Sequence, residues 1–227
     1  TVDFSGRSGQ QIGYLTGSGG TVVNNGASNT SAVNIFGISG SGNYFGVIAD
    51  NTTGTGRILI NKNGAATQTF SGLNTYTGSM TISVGTLSAG IAQSGASGAF
   101  GNNASVIMNG GTLNPASFNV SIGSLTGNSG SVTLGSAILT VGGDNTSPAA
   151  CGGIISGIGG SLIKSGTGTL TLSGVHSFTG DTTISAGTLT ISGAGSIYGG
   201  IGSGTVAVTV ASGAQILLSG AATNNVL

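Results

Sequence analysis

The chain has 227 residues, 47 of them glycine, and only 4% of it is charged. Asp3, Asp50, Asp144 and Asp181 balance Arg7, Arg57, Lys62 and Lys164, and the formal net charge is zero. Such a chain has no electrostatic footprint for nucleic acid or an anionic membrane surface. Its 37% apolar content is also far from the low-hydrophobicity, high-charge signature of disorder.

The first residues, TVDFSGRSGQQ, hold no signal peptide and no initiating methionine, so a mature form or an excised segment is expected. Strand-sized runs then follow along the chain: GRILIN (56–61), QTFSG (68–72), MTISVGTLS (80–88), SVIMN (105–109), SVTLG (131–135), AILTVGG (137–143), TLTLSG (169–174), TTISAGTLTISG (182–193), TVAVTVAS (205–212) and AQILLSG (214–220). Each alternates apolar with small polar residues, which in a strand sends Ile, Leu and Val to one face and Thr or Ser to the other. Gly, Asn and Ser separate the runs, and Pro115 and Pro148 sit in turn-like contexts. Good helix formers are scarce, which argues against helices. Mean hydropathy is +0.38. No apolar run nears the roughly 20 residues of a membrane span, so no membrane insertion is expected.

The chain repeats itself. Residues 62–87 (KNGAATQTFSGLNTYTGSMTISVGTL) and 164–189 (KSGTGTLTLSGVHSFTGDTTISAGTL) align without gaps at an offset of 102, with 14 of 26 positions identical. These include Lys62/Lys164, Ile82/Ile184 and Leu87/Leu189, which shared Gly/Thr bias alone does not align. Upstream, IGYLTGSGGTV (12–22) matches IGSLTGNSGSV (122–132) at an offset of 110. Copy 1 therefore holds eight extra residues, placed by composition near NNGASNTSA (24–32), because loops tolerate insertions that strands do not. The tails NASVIMNGG (103–111) and TVAVTVASG (205–213) also correspond. The reading is one continuous domain over 1–227 with two units, about 12–118 and 122–227.

Among repetitive all-β architectures, a propeller repeats every ~40–50 residues with aromatic signatures. Tryptophan is absent here and aromatics are 5%. A parallel β-helix, with stacked coils around a narrow aliphatic core, fits better. Outward Thr, Ser and Asn stack at about 4.8 Å where like charges would repel. Coils of roughly 20–25 residues make a unit four or five coils.

The segment GGSLIKSGTGTLTLSGVHSFTGDTTISAGTLTISG (159–193) resembles the passenger-associated transport repeat of bacterial autotransporters and related giant surface proteins. The pattern is a Lys-x-Gly-x-Gly-x-Leu-x-Leu strand, then Ser-Gly-x-Asn-x-Tyr/Phe-Thr-Gly, then Thr-x-Ile-x-x-Gly-Thr-Leu. Copy 1 has NTYTG (74–78); copy 2 has HSFTG (176–180), with His176 in the Asn position. Copy 1 departs from the pattern at NGAATQTF (63–70). The resemblance covers about two thirds of the chain. It implies a right-handed parallel β-helix (a single-stranded β-solenoid), exported through the cell envelope, with a role in secretion, stalk extension or adhesion. No translocator barrel is read before the last residues, AATNNVL (221–227).

Candidate sites are few. His176, the sole histidine, could pair with Asp181 in catalysis. Its match to Asn74 instead predicts a turn or surface role. The four aspartates are too dispersed in sequence for a glycosidase acid/base pair or a calcium-dependent lyase site. GGDN (142–145) is similar to calcium-binding nonapeptides but occurs once. No catalytic residue, cofactor or metal is expected. Thr167, Thr169, Thr171, Thr188 and Thr190 are similar to the arrays of ice-binding solenoids, with solvent-face β propensity as the simpler reading. Tyr14, Tyr44, Tyr76, Phe4, Phe36, Phe45, Phe70, Phe100, Phe118 and Phe178 are scattered, and Tyr76 and Phe178 should share one core or turn niche. Cys151, the sole cysteine, has an apolar setting and should be buried without a disulfide.

These readings predict a non-enzymatic extracellular or cell-surface solenoid, a stalk or a self-assembling fibre subunit. Its expected partners are itself, stacked head to tail, or flanking coils of a larger parent, with host or matrix glycans as a further partner class. The alternatives are a carbohydrate-active or glycan-binding β-helix and an ice-binding solenoid.

Overall fold

A computed structural model describes residues 1–5, 7, 9–26, 30–35, 37, 40–51, 53–193, 196–197 and 207–219. Phe36, the last residues AATNNVL, part of the tail TVAVTVASG (205–213) and part of the insertion stretch NNGASNTSA (24–32) lie outside them. Among the described residues every regular element is a strand, and every strand–strand ladder is parallel. The strands wind into a β-solenoid of about nine turns.

Each coil places up to three strands. The first face carries Gln10–Ile12, Thr30–Ile35, Arg57–Lys62, Met80–Ile82 and the start of Val106–Asn114, each paired with the next. It continues through Leu125–Thr133 and the Cys151 bridge to Thr169–Leu172, Thr188–Ser192 and Gln215–Ser219. The second face runs from Ser41–Tyr44 through Thr67–Phe70 and Thr86–Ala89 to Ile154–Gly157 and Val175–Phe178. The third holds Thr21–Val23 and Val47–Ala49 in the early coils. Later it holds Val120–Ile122, Ile138–Val141, Ser161–Lys164, Thr182–Ile184 and Val208–Val210.

Alternation explains the core. Inward positions stack in register: Ile60 on Met80 on Val106 along the first face, and Val120 on Leu139 on Leu162 along the third, all buried. Outward positions form hydroxyl ladders such as Ser41, Thr67, Thr86, Thr112 and Ser131 on the second face. Thr112 Oγ1 and Ser131 Oγ lie 3.1 Å apart.

Two single runs of the sequence reading are two strands each. MTISVGTLS divides into Met80–Ile82 and Thr86–Ala89, and TTISAGTLTISG into Thr182–Ile184 and Thr188–Ser192. The chain turns a corner between faces at Gly85 (φ 70°) and Gly187 (φ 66°). A Cβ there would lie 2.3 Å from the carbonyl oxygen of Gly64 or Gly168 in the preceding coil. Only glycine satisfies both the dihedral and the approach.

The repeat is not a whole number of coils. From Ile60 the first face recurs at Met80, Val106, Leu125 and Cys151, four coils on. Leu162, the counterpart of Ile60, lies two faces further, in the third-face ladder. Equivalent strands of the two copies thus lie on different faces. Local spacing is kept: Ile60–Met80–Val106 and Leu162–Thr182–Val208 both advance by 20 and then 26 residues.

Candidate functional site: a polar cleft where the repeat is broken

The extra residues of copy 1 build a cleft. Ile12 to Ile35 takes 23 residues, whereas its counterpart Ile122 to Val141 takes 19. Ile35 to Lys62 takes 27 against 23 for Val141 to Lys164. The insertion is therefore split. Four residues enter between Val22 and Ile35, where composition placed all eight. The other four enter in the next coil, as the loop 50–56. The sequence match held only at its two ends and could not show the division.

Both loops occupy one corner, between the third and first faces, and they hold each other. Asn51 Nδ2 donates to the carbonyls of Asn25 and Gly26, both at 3.1 Å, and Asn24 Nδ2 donates to the Arg57 carbonyl at 3.0 Å. Asp3, one coil earlier, accepts from the Ser5 hydroxyl and amide and from the Asn25 amide and side chain. These bonds, the Ser5 hydroxyl first among them, hold its carboxyl down at about 2. Asp50 locks the loop to the following coil: Oδ1 accepts the Ile58 N–H at 2.7 Å, and Oδ2 accepts the Thr77 N–H at 2.7 Å and hydroxyl at 2.6 Å. Asp50, Asn51, Thr55, Arg57, Thr75 and Thr77 line the resulting cleft of about 390 Å³.

The residues singled out from sequence are placed apart. Each aspartate fastens the backbone at a corner: Asp144 Oδ1 accepts from Thr146 N and Oγ1, and Asp181 Oδ1 accepts the Ala207 N–H of the next coil. Among the described residues no three of His, Cys, Asp and Glu gather as a metal site would require. Thr169 and Thr171 stack on Thr188 and Thr190, but the next coil puts Gln215 and Leu217 in those positions. Tyr44, Tyr76, Phe70, Phe100 and Phe178 are core residues, while Tyr14, Phe45 and Phe118 are exposed. Cys151 is buried, and burial pushes its thiol pKa up.

His176 is neither in a turn nor at the surface: it lies in the strand Val175–Phe178 and is 1% exposed. It does the work of its counterpart Asn74. Asn74 Oδ1 accepts the Ile48 N–H at 2.8 Å from the preceding coil, and His176 Nδ1 accepts the Ile155 N–H at 3.0 Å. The imidazole is therefore the Nε2–H tautomer. Asn74 also donates to the Ala99 carbonyl of the next coil at 2.8 Å, whereas His176 Nε2 has no partner among the described residues. Burial lowers the His176 pKa to about 4.

The sequence reading aligned Lys62 with Lys164 but gave neither a role. Both are buried in inward ladder positions, Lys62 between Ile35 and Ile82 and Lys164 between Val141 and Ile184. Lys62 Nζ donates to the carbonyls of Gly64 and Val84. Lys164 Nζ donates to those of Ser165, Gly166 and, at 3.2 Å, Ala186. Gly64/Gly166 and Val84/Ala186 are counterpart pairs at the 102-residue offset. Desolvation lowers both pKa values, and for Lys164 the nearby Asp144 opposes the shift. The legible signal was a cation kept in a repeat that otherwise avoids charge.

These shared devices fall where a family model also matches. The passenger-associated transport repeat matches residues 60–89 and 162–191. The chain carries two passenger-associated transport repeats. A curated relative, the adhesin BmaC autotransporter of Brucella suis biovar 1 (strain 1330), is 38% identical over 132 residues. The match spans 55% of this chain and 4% of the relative. No solved structure matches.

Each transport repeat thus contributes the buried lysine, the Asn or His bridge and the glycine corner. The cleft belongs to neither repeat as a unit. Asp50 to Arg57 precede the first one, and only Thr75 and Thr77 come from within it. Chemically the cleft offers one guanidinium, one carboxylate already accepting three bonds, and threonine hydroxyls. That is a set for binding polar groups.

Proposed function

We propose that this chain is an adhesive, non-catalytic segment of a bacterial extracellular passenger, a rigid β-solenoid that serves as stalk and contact surface at the cell exterior. The observation that carries the reading is the coincidence of two transport repeats with a continuous parallel ladder. The naming of the relative as an adhesin autotransporter supports it. A solenoid suits a stalk because each coil is held by its neighbours, so length is added without redesigning the core.

The end coils fit a segment joined to further coils. Val2 pairs with buried Val22 yet is 52% exposed, and Leu218 pairs with buried Ile191 yet is also 52% exposed. These are inward register positions, and coils of the same polypeptide satisfy them most simply. Stacking of separate copies head to tail uses the same edges and would make open filaments.

Display of this chain on a non-adherent bacterium tests the reading. Adhesion to host cells or matrix above that of a length-matched inert solenoid is expected, and equal adhesion by both would overturn it. Electron microscopy of the purified chain separates the two end arrangements: single short rods favour flanking coils, and concentration-dependent filaments favour self-stacking.

A further inference from the structure

We infer that the cleft at the inserted corner binds an anionic sugar residue, with Arg57 taking the anion and the threonine hydroxyls and Asp50 taking ring hydroxyls. This goes beyond the adhesive reading, which stands or falls without it.

The chain has eight formal charges in 227 residues. Two are lysines buried in the core, and the described arginines, Arg7 and Arg57, are exposed. Arg57 opens the strand Arg57–Lys62 at the mouth of the cleft, and no ion pair holds its guanidinium among the described residues. Asp50, its nearest acid in sequence, already accepts three hydrogen bonds from Ile58 and Thr77. Those donors fix the carboxylate in place, and the exposed guanidinium, with no ion pair of its own, is left to meet a ligand anion in a cleft whose two formal charges sum to zero. A planar guanidinium recognises a carboxylate or sulfate through paired N–H donors.

The remaining lining selects a polyol. Apart from the charged pair and two glycines it is Asn51, Thr55, Thr75 and Thr77, with Thr75 exposed. Among the described residues no aromatic or large aliphatic side chain lines it, so an apolar ligand gains nothing from them. A ring bearing several hydroxyls finds acceptors and donors on adjacent coils. At about 390 Å³ the cleft is at the small end of ligand sites, about 300–1,000 Å³. One or two sugar units fit that size. The site has no counterpart in copy 2, where Gly159 stands at the position of Arg57 and, counted from the paired Ile48 and Ile155, Gly157 stands at that of Asp50. Loops inserted into a repeat scaffold are where binding is commonly grafted.

The test is a ¹⁵N–¹H NMR titration of the whole chain with methyl glucuronide, methyl glucoside, glucose 6-sulfate and sodium acetate, repeated on Arg57→Gln and Thr75→Val. Methyl glucuronide should shift the amides of Ile58, Thr75 and Thr77. The neutral glucoside should bind at least about tenfold more weakly, the loss expected for one charge-assisted pair. Arg57→Gln, an exposed position whose fold is checked by circular dichroism, should lose the same factor, and Thr75→Val should weaken sugar without affecting acetate. Equal shifts with the sulfate sugar extend the site to both anion types. Glucoside binding as tightly as glucuronide, acetate binding as tightly as either, or no shift at these amides at tens of millimolar would overturn the inference.

Discussion

Lys62 and Lys164 lie on different faces of the solenoid, yet each threads an aliphatic ladder to reach carbonyls at counterpart positions in its own coil and the next. The ammonium takes the place of a backbone donor where the chain turns a corner. Lys62→Met keeps the apolar stem but strands the Gly64 and Val84 carbonyls in the interior. The expected loss is about 2 kcal/mol, since relief of the ammonium's desolvation only partly offsets unpaired carbonyls. Lys164→Met should cost a similar amount and the two should add, because the sites share no partner. Urea unfolding followed by circular dichroism measures all three variants; a stability gain from either single change would contradict the account.

His176 makes the fold sensitive to mild acid. Its pKa is near 4 in the folded state, because burial disfavours the charged ring, against about 6.5 when unfolded. The unfolded chain therefore takes up a proton first. The stability tied to the neutral ring is complete above pH ~6.5 and is lost as pH falls toward 4, by on the order of 2–3 kcal/mol. His176→Asn restores the group found at Asn74 and should flatten this window. Melting temperatures at pH 7.5 and 4.5 decide it: the wild-type difference should shrink markedly in the variant. Asp3, held near 2, loses its hydrogen-bonded advantage only below pH ~4, outside that window.

Much of this was legible from residues because solenoid physics is local and periodic. Alternation in TLTLSG and AILTVGG set the inward face, and the 102-residue offset aligned the two transport repeats. Three features were not legible. Coil length varies between neighbours, so periodicity could not show that counterpart strands rotate onto another face. His176 read as a turn residue because its Asn counterpart sits between Gly72 and Gly78. A ladder position held by a side-chain bond to the preceding coil leaves no local signature. The cleft was missed because its lining joins residues 50–57 to 75–77, one coil apart, through an insertion whose division in two the alignment could not resolve.

The glycine corners can be tested in parallel. Gly85→Ala and Gly187→Ala place a methyl against the preceding coil's carbonyl at positive φ. Each should cost more than about 2 kcal/mol, combining dihedral strain with a clash that neither rigid ladder can relieve. Gly95→Ala also falls at positive φ but meets nothing within 4 Å, so it should cost only about 1 kcal/mol. Comparing the three by thermal denaturation separates the steric part from the dihedral part. Equal losses at all three would show that coil contact is irrelevant at these corners.

Tyr76 and Phe178 are counterparts, and the residues four positions on, Met80 and Thr182, have changed with them. The Tyr76 hydroxyl donates to Met80 Sδ at 3.0 Å. In the second repeat the phenol is gone, and the buried Thr182 Oγ1 has no partner among the described residues. Thr182→Val removes that hydroxyl at constant shape and should raise stability by about 1 kcal/mol, the desolvation penalty of an unpaired polar atom. Phe178→Tyr is the alternative repair, supplying a hydroxyl toward Thr182. Because both cure the same defect, the double variant should gain less than the sum of the singles. Urea midpoints for the three variants measure the coupling, and full additivity would mean that the two side chains do not share a site.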